Sequence, residues 1–363
     1  MDPRIREQAE TIVDHSTDVQ PGDNVVVSAP SVAEDLAVAL HEAVGDRGAI
    51  PLLLGNSDRA ERAFLRAVDD DEIETPTHLE ACYEDSDVLI RVRSETNATE
   101  QGDVDAETQA AHTAARRPVQ EVALSTRWCL TQFPSPASAQ LAGMSTEAYE
   151  NFVWDAVNKD WSAQRDHQAR MVDILDPAEE VHIRCGEVTD VTMSVDGMET
   201  VNDHAEHNLP GGEVFTAPVV DSVAGEVLFD KPLYHKGREI TGAHLVFEGG
   251  EVVEHSADRN EDLLTEVLHT DEGARRLGEL GIGMNRDIDR FTYNMLFDEK
   301  MGDTVHMAIG RAYEECVGED REANESAVHL DMIVDMSEES VIEVDGEVVQ
   351  RDGRFRFEEG FEG

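Results

Sequence analysis

Buried strands alternate with amphipathic helices through the first hundred residues, and this alternation constrains the fold more than any other feature. After a Pro-Gly-Asp turn, the apolar run 24–28 predicts a buried strand. Apolar residues at helical spacing over 32–44 predict a helix, and the runs 49–54 and 87–92 predict two further strands. Strands joined by helical crossovers pair in parallel, with helices on the faces of the sheet. The N-terminal half is therefore predicted to be an α/β domain.

The sequence changes character near residue 176, where short β-rich segments separated by Gly and Asp-Gly turns replace this alternation. We predict a helix at 271–280 and strands at 181–184, 188–195, 213–218, 243–248, 304–309 and 326–336. A chain of 363 residues can form two domains that each bury a core. The expected organisation is an α/β scaffold domain over 1–176 and an α+β domain over 177–363.

Acidic residues outnumber basic ones by 79 to 29, which gives a formal net charge of -50. The acids lie between apolar positions throughout the chain, as on the solvated surface of a folded protein. Hydrated carboxylates that repel one another keep a protein dissolved in concentrated salt, where the screening length falls to about 3 Å. We interpret the charge as adaptation to a salt-rich cytosol, with a nucleic-acid mimic or a cation store as the alternative. Binding to nucleic acid is not expected, because the sequence has no basic patch.

No segment of the sequence predicts export or membrane insertion. The first residues lack an apolar signal core, and no run approaches the ~18 apolar residues of a membrane span, so we expect a cytoplasmic protein. The four cysteines are far apart and form no CxxC pair, which predicts buried free thiols instead of disulfides or a thiolate metal site. No GxGxxG or Walker loop follows the first strand, so the first domain is interpreted as a scaffold.

The predicted strand at 326–336 carries a candidate metal site. Its period-two alternation places His329, Asp331, Ile333 and Asp335 on one face and apolar residues on the other. Side chains two residues apart on a strand can converge on one ion, so His329 and Asp331 form a candidate ligand pair. The alternative is an edge strand with a polar outer face.

His306 is a second candidate, because its small neighbours Ala308 and Gly310 on the same strand face leave room for a ligand. A structural role is the alternative for this histidine. Tyr313 lies seven residues further along, and it either reaches the same cavity or packs in the core.

Two glutamates stand out from the other acids because glycines surround them. Glu213 follows the turn Asn-Leu-Pro-Gly-Gly, and Glu279 lies in Leu-Gly-Glu-Leu-Gly-Ile-Gly, where the glycines permit close backbone approach. Surface exposure is the alternative for both. Lys300, one of only four lysines, lies just before His306 and is expected to take part in the chemistry. His204 and His207 are interpreted as part of a surface loop.

Five motifs, in this order, resemble those of the dinuclear metallo-aminopeptidases of the aminopeptidase T family. They are Asn-Leu-Pro-Gly-Gly-Glu-Val-Phe-Thr-Ala-Pro at 208–218, Leu-Gly-Glu-Leu-Gly-Ile-Gly-Met-Asn at 277–285, Leu-Phe-Asp-Glu-Lys at 296–300, Gly-x-Thr-x-His at 302–306, and His-x-Asp at 329–331. The resemblance implies that two divalent ions, zinc or cobalt, are surrounded by Glu213, Glu279, His306, Tyr313, His329 and Asp331. It also implies a homodimer that encloses the sites and acts on short peptides.

The residue chemistry agrees with this resemblance. Two imidazoles and three carboxylates suit zinc, cobalt or manganese, and a pair of such ions can activate water and polarise a scissile carbonyl. Either Glu213 or Glu279 can carry the proton to the leaving amine, while Lys300 stabilises an oxyanion or pairs with the carboxylates. The catalytic residues of the predicted metalloaminopeptidase are therefore Glu213, Glu279, Lys300 and Tyr313. A metal-dependent amidohydrolase or dipeptidase, and a non-catalytic protein with a single structural ion, are the alternatives.

Overall fold

The computed structural model describes residues 1–235 and 238–363, which form two compact units. The first unit contains Met1–Lys159 and Ala205–Gly211, and the second contains Asp160–His204 and Gly212–Gly363. The division at residue 159 differs from the predicted boundary after residue 176 by one helix. That helix belongs to the second unit because the buried Gln168 side chain donates hydrogen bonds to Asn202 Oδ1 at 2.8 Å and to the Glu213 carbonyl at 2.8 Å.

The helices and strands are numbered here in chain order. The α-helices are α1 (Pro3–Thr11), α2 (Glu34–Asp46), α3 (Asp58–Leu65), α4 (Thr77–Glu84), α5 (Ala106–Leu124), α6 (Pro136–Leu141), α7 (Thr146–Val157), α8 (Trp161–Leu175), α9 (Glu261–Leu268) and α10 (Met295–Asp298). The strands are β1 (Asn24–Pro30), β2 (Ile50–Asn56), β3 (Val88–Arg93), β4 (Arg127–Gln132), β5 (Glu180–Cys185), β6 (Thr189–Ser194), β7 (Thr200–Asp203), β8 (Asn208–Leu209), β9 (Glu213–Thr216), β10 (Ala224–Phe229), β11 (Leu233–His235), β12 (Arg238–Ile240), β13 (Ala243–Glu248), β14 (Glu251–Ser256), β15 (Leu277–Gly283), β16 (Thr304–Gly310), β17 (His329–Asp335), β18 (Ser340–Val344), β19 (Glu347–Arg351) and β20 (Arg354–Phe355). Within the described chain, no helix has the length and apolar character needed to cross a membrane.

The first unit is built on a five-stranded parallel sheet with the strand order β2-β1-β3-β4-β8. β1 is an interior strand of this sheet, and its residues Val25, Val26 and Val27 are all buried, as the continuous apolar run predicted. Its residues pair with β2 on one side and β3 on the other, for example Val25 with Val88. The predicted α/β fold of the N-terminal half is confirmed.

The second unit consists mainly of two antiparallel sheets. The larger has the strand order β14-β13-β10-β6-β5-β18-β19-β20, and the smaller has the order β17-β16-β15-β9-β7. Apolar side chains from both sheets form one core, with Ile183 and Phe247 from the larger sheet and Val305 and Met332 from the smaller. The small sheet therefore buries one face in this core, and its other face is available to polar side chains.

The predicted helix at 271–280 is wrong. A single 3₁₀ turn at Gly273–Arg275 is followed by β15, whose seven residues are all buried between β9 and β16. Glycine weakens a helix, whereas at these positions it permits close packing. A Cβ on Gly283 would lie 2.0 Å from the carbonyl oxygen of Met301, so only glycine fits this part of the strand.

Candidate metal centre

Four neighbouring strands of the small sheet bring five candidate ligands to the face opposite the core. β9 supplies Glu213, β15 supplies Glu279, β16 supplies His306, and β17 supplies His329 and Asp331. The predicted alternation of β17 is observed, because the intervening Leu330 and Met332 belong to the core. Strand pairing therefore assembles residues that are more than a hundred positions apart in the sequence.

The first group of ligand atoms comes from Glu213, Glu279 and His306, all of which are buried. His306 Nε2 lies 3.2 Å from Glu213 Oε2 and 3.0 Å from Glu279 Oε1. The imidazole can approach this closely because its partner across the β15–β16 ladder is Gly281, which has no side chain. These three residues form a carboxylate–histidine set of the kind that binds divalent metals.

The second group comes from Glu279, His329 and Asp331, so Glu279 belongs to both groups. His329 Nε2 lies 3.7 Å from Glu279 Oε2 and 3.5 Å from Asp331 Oδ1. The other ring nitrogen, Nδ1, lies 2.8 Å from the carbonyl oxygen of Arg311. A hydrogen bond from Nδ1 to this carbonyl orients the ring and leaves Nε2 to face the carboxylates, as is common for metal-binding histidines.

The electrostatics of the centre favour a cation. Burial raises the pKa of both Glu213 and Glu279. Burial lowers the pKa of His306, but the negative charges of these two glutamates outweigh it and raise that pKa to about 9. Burial lowers the pKa of His329, but the carboxylate of Asp331 outweighs it and raises that pKa to about 10. Burial raises the pKa of Asp331, but His329 outweighs it and lowers that pKa to about 2.

Two carboxylate oxygens of the centre are left for a metal ion. Neither Glu213 Oε2 nor Glu279 Oε2 has a hydrogen bond to any described residue, although both are buried. Each oxygen faces an imidazole nitrogen, at 3.2 and 3.7 Å, without a hydrogen bond. A buried carboxylate oxygen without a hydrogen bond is costly, and coordination of a cation removes that cost. The donor set and these two oxygens therefore fit divalent metal ions.

Lys300 is fully buried beside the first group of ligands. Its Nζ lies 2.8 Å from Glu213 Oε1 and 3.7 Å from Asp203 Oδ2, and it also contacts Glu299 Oε1. Burial lowers the pKa of Lys300, but these carboxylates outweigh it and raise that pKa well above its ordinary value, so the ammonium stays charged.

Tyr313 lies beside the second group and is 42% exposed, so it is not a core residue. Its ring centroid is 4.7 Å from that of His329 and 6.1 Å from that of Phe215. The structure thus brings all seven predicted site residues to one region of the second unit. His204 and His207 lie in the segment between β7 and β8, as predicted for a loop.

Sequence reasoning missed three residues that support the centre, namely Gln168, Asp203 and Glu299. Gln168 holds β9 through the Glu213 carbonyl, and the two acids contact Lys300. Glu299 could have been identified from the sequence, because it adjoins Lys300 in the motif at 296–300. Nothing in the sequence distinguishes Asp203 from the other acids, which number 79 with it, because its partner Lys300 lies 97 positions away.

The fold and the site define a metal-binding enzyme class, and comparison with known proteins identifies the family. The model of the thermophilic metalloprotease family (M29) matches residues 1–355. The chain therefore belongs to this family, which confirms the resemblance that the motifs indicated.

Two relatives and one solved structure illustrate the similarity. Aminopeptidase 2 of Geobacillus stearothermophilus is 28% identical, and the alignment covers 95% of this chain and 94% of the relative. Aminopeptidase T of Thermus aquaticus is 32% identical over 61% of this chain and 62% of the relative. The structure of AmpT from Thermus thermophilus has a TM-score of 0.87 at 24% identity, and covers 98% of this chain and 99% of its own. These relatives agree with the predicted enzyme class: the chain is a metallopeptidase.

The same fold also occurs in a protein that is named for a different reaction. The structure of 2,5-dihydroxypyridine dioxygenase from Pseudomonas putida has a TM-score of 0.61 at 15% identity, and covers 98% of this chain and 97% of its own. Such a likeness shows the fold alone. The activity must therefore be argued from the side chains of the centre.

Proposed function

We propose that this metallopeptidase is an aminopeptidase that removes N-terminal residues from short peptides with the help of two divalent ions. The observation that carries the proposal is the position of Glu279, which contributes an oxygen to both groups of ligand atoms. A carboxylate has two oxygens, so one Glu279 can serve two adjacent ions.

The proposed ligands are Glu213, Glu279 and His306 for one ion and Glu279, His329 and Asp331 for the other. Nitrogen and oxygen donors without thiolates suit zinc, cobalt or manganese. When bound, such ions supply Lewis acidity and an acidified water molecule. The Tyr313 ring borders the second group, and its hydroxyl is proposed to complete the site.

Lys300 is proposed to hold Glu213 in place instead of stabilising an oxyanion. Its ammonium is fully buried and already contacts three carboxylates, so its donors are directed at the protein. Because Lys300 occupies Glu213 Oε1, it directs Oε2 of the same carboxylate toward His306. Glu213 and Glu279 both remain candidates for proton transfer to the leaving amine.

The excess of carboxylates at the centre also suits the free amine of a peptide substrate. An α-amino group titrates near pH 8, so it can bind a carboxylate as an ammonium. Acetylation removes that charge and a charge-assisted contact worth about 1.5 to 3 kcal/mol.

A tripeptide and its acetylated form, compared by chromatography of the products, test the proposal. We expect release of the first residue from the free tripeptide and a kcat/KM about ten- to a hundredfold lower after acetylation. Equal rates, or cleavage at the interior bond, would rule out an aminopeptidase. Counting the bound ions in the same preparation tests the alternatives, since one tightly held ion without hydrolysis would indicate a structural metal site.

We further propose that the enzyme works as a homodimer in a salt-rich cytoplasm. The dimer rests on the family resemblance, and sedimentation of the purified protein tests it. The salt-rich cytoplasm rests on the charge of -50 and its spread along the whole chain.

A further inference from the structure

β17 is an edge strand of the sheet that carries the metal centre. Its even-numbered residues direct their backbone groups toward β16, as shown at both ends of the pairing. Arg311 N donates to the Val328 carbonyl at 2.7 Å, and Met336 N donates to the Asp303 carbonyl at 2.8 Å. In an antiparallel strand the backbone groups alternate in direction, so those of the odd-numbered residues point away from the sheet.

The chain itself pairs with this outer edge at its two ends. At one end, Ala327 N donates to Asp271 Oδ2 at 2.8 Å. At the other end, the Ile333 carbonyl accepts from Lys231 N at 3.5 Å, and Asp335 N donates to Asp230 Oδ1 at 2.8 Å. Capping groups of this kind are the usual protection of an exposed edge.

Between these capped ends lies an open stretch of two outward-facing residues, His329 and Asp331. No described residue forms a hydrogen bond to their outward N–H and C=O groups. The same two residues carry the side chains of the second ligand group. The open edge is therefore continuous with the metal centre.

We propose that this open edge binds the substrate, as an extended peptide that adds a short strand to β17. Peptides commonly bind proteins in this way, through backbone hydrogen bonds that ignore side-chain identity. A strand added here lies roughly 4.8 Å from β17, which brings the end of the peptide beside the ligands His329 and Asp331. The inference rests on the proposed function, because it describes how the peptide substrate of that site is held.

The capped ends limit the length of the added strand. The open residues at positions 329 and 331 span about 7 Å at roughly 3.3 Å per residue. Only two or three peptide residues can therefore pair before Asp230 or Asp271 is reached. KM is expected to fall as peptides lengthen from two to four residues and to stay level beyond that length.

Ester-substituted pentapeptides test the proposal with the intact enzyme. Each peptide has one backbone N–H beyond the scissile bond replaced by an ester oxygen, at residue three, four or five. Because only alternate residues of an added strand face β17, we expect KM to rise about three- to tenfold for the ester at residue three or for the ester at residue four, but not for both, with kcat unchanged. The ester at residue five lies beyond the capped ends of β17 and acts as the matched control.

Every outcome decides between the proposals. Equal values for all three esters, or an equal loss at all three, would overturn strand addition while leaving the aminopeptidase assignment intact. Equal values are also what a second copy of the chain covering this edge would give. Failure to hydrolyse the all-amide pentapeptide would overturn the proposed function and strand addition together.

Discussion

The imidazole of His306 lies over Gly281, its partner across the β15–β16 ladder. A Cβ placed on Gly281 would lie 2.0 Å from both Cε1 and Nε2 of His306. Gly281→Ala should therefore displace His306 and reduce kcat/KM at least about a hundredfold, with loss of bound metal. Activity and the metal content of the dialysed protein measure the effect. Gly55→Ala is the matched control in another strand, because a Cβ there meets nothing within 4 Å. Normal metal content in Gly281→Ala would contradict the proposed arrangement.

His329→Ala and Asp331→Ala should each lose about one ion per chain and abolish hydrolysis. Both residues belong to the second ligand group, whereas the first group keeps its three ligands. Elemental analysis checks the stoichiometry. His182→Ala is the control, since His182 pairs with Asp190 at 2.7 Å on the larger sheet. Full activity with two ions in both variants would show that the ligands have been misassigned.

Lys300→Met should destabilise the protein by about 3 to 5 kcal/mol, because it leaves the buried Glu213 and the partly buried Asp203 and Glu299 without their cation. Urea unfolding measures the loss. Lys231→Met removes a lysine that pairs with Asp335 at 2.7 Å but is 22% exposed, so a loss of about 1 kcal/mol or less is expected. Equal losses in the two variants would argue against the proposed role of Lys300.

Stability should depend on pH through Glu358. Burial favours its protonated form, but hydrogen bonds from His167, Phe355 N and Arg286 outweigh this and lower its pKa to about 2 from an ordinary 4.5. A carboxyl group whose pKa is lower in the folded chain than in the unfolded chain stabilises the fold at every pH above its ordinary pKa. This stabilisation is lost as the pH falls from that value through about 2.

Wild type should therefore exceed Glu358→Gln in stability by about 2 kcal/mol at pH 6, which is less than the full pKa shift corresponds to because solvent screens this partly exposed group, and the difference should vanish between pH 4.5 and 2. Denaturant unfolding across this range is the measurement. Glu359→Gln changes an exposed neighbour and should match wild type throughout. A difference that stays constant with pH would contradict the ionic role.

Salt should stabilise the whole chain. At a net charge of -50, screening in molar salt relieves repulsion among carboxylates that acts over about 10 Å at 0.1 M. The midpoint of thermal unfolding should rise by about 5 to 10 °C between 0.1 and 3 M KCl, or a few kcal/mol at this size. A neutral osmolyte at equal osmolarity controls for preferential exclusion. A midpoint unchanged by KCl would refute salt adaptation.

The strands that could be predicted from the sequence are those with a clear local pattern of apolar and polar side chains. The run 24–28 and the alternation over 329–335 follow from side-chain periods that the chain carries in itself. The misassigned helix at 271–280 shows the limit of this reasoning. Its apolar spacing is compatible with a helix, but burial between β9 and β16 decides in favour of a strand. Contacts with residues distant in the sequence therefore determine that this segment forms a strand and not a helix.

The sequence by itself determined the strand–helix alternation of the first unit, the acidic surface and the identity of the candidate ligands. Each of these depends on residue type and near-neighbour spacing. Only the tertiary structure decided that Glu279 belongs to both groups, that Lys300 is buried against Asp203 and Glu213, and that β17 keeps an open edge. These relationships depend on strand order and register, which are set by the packing of the whole sheet and not by any segment alone.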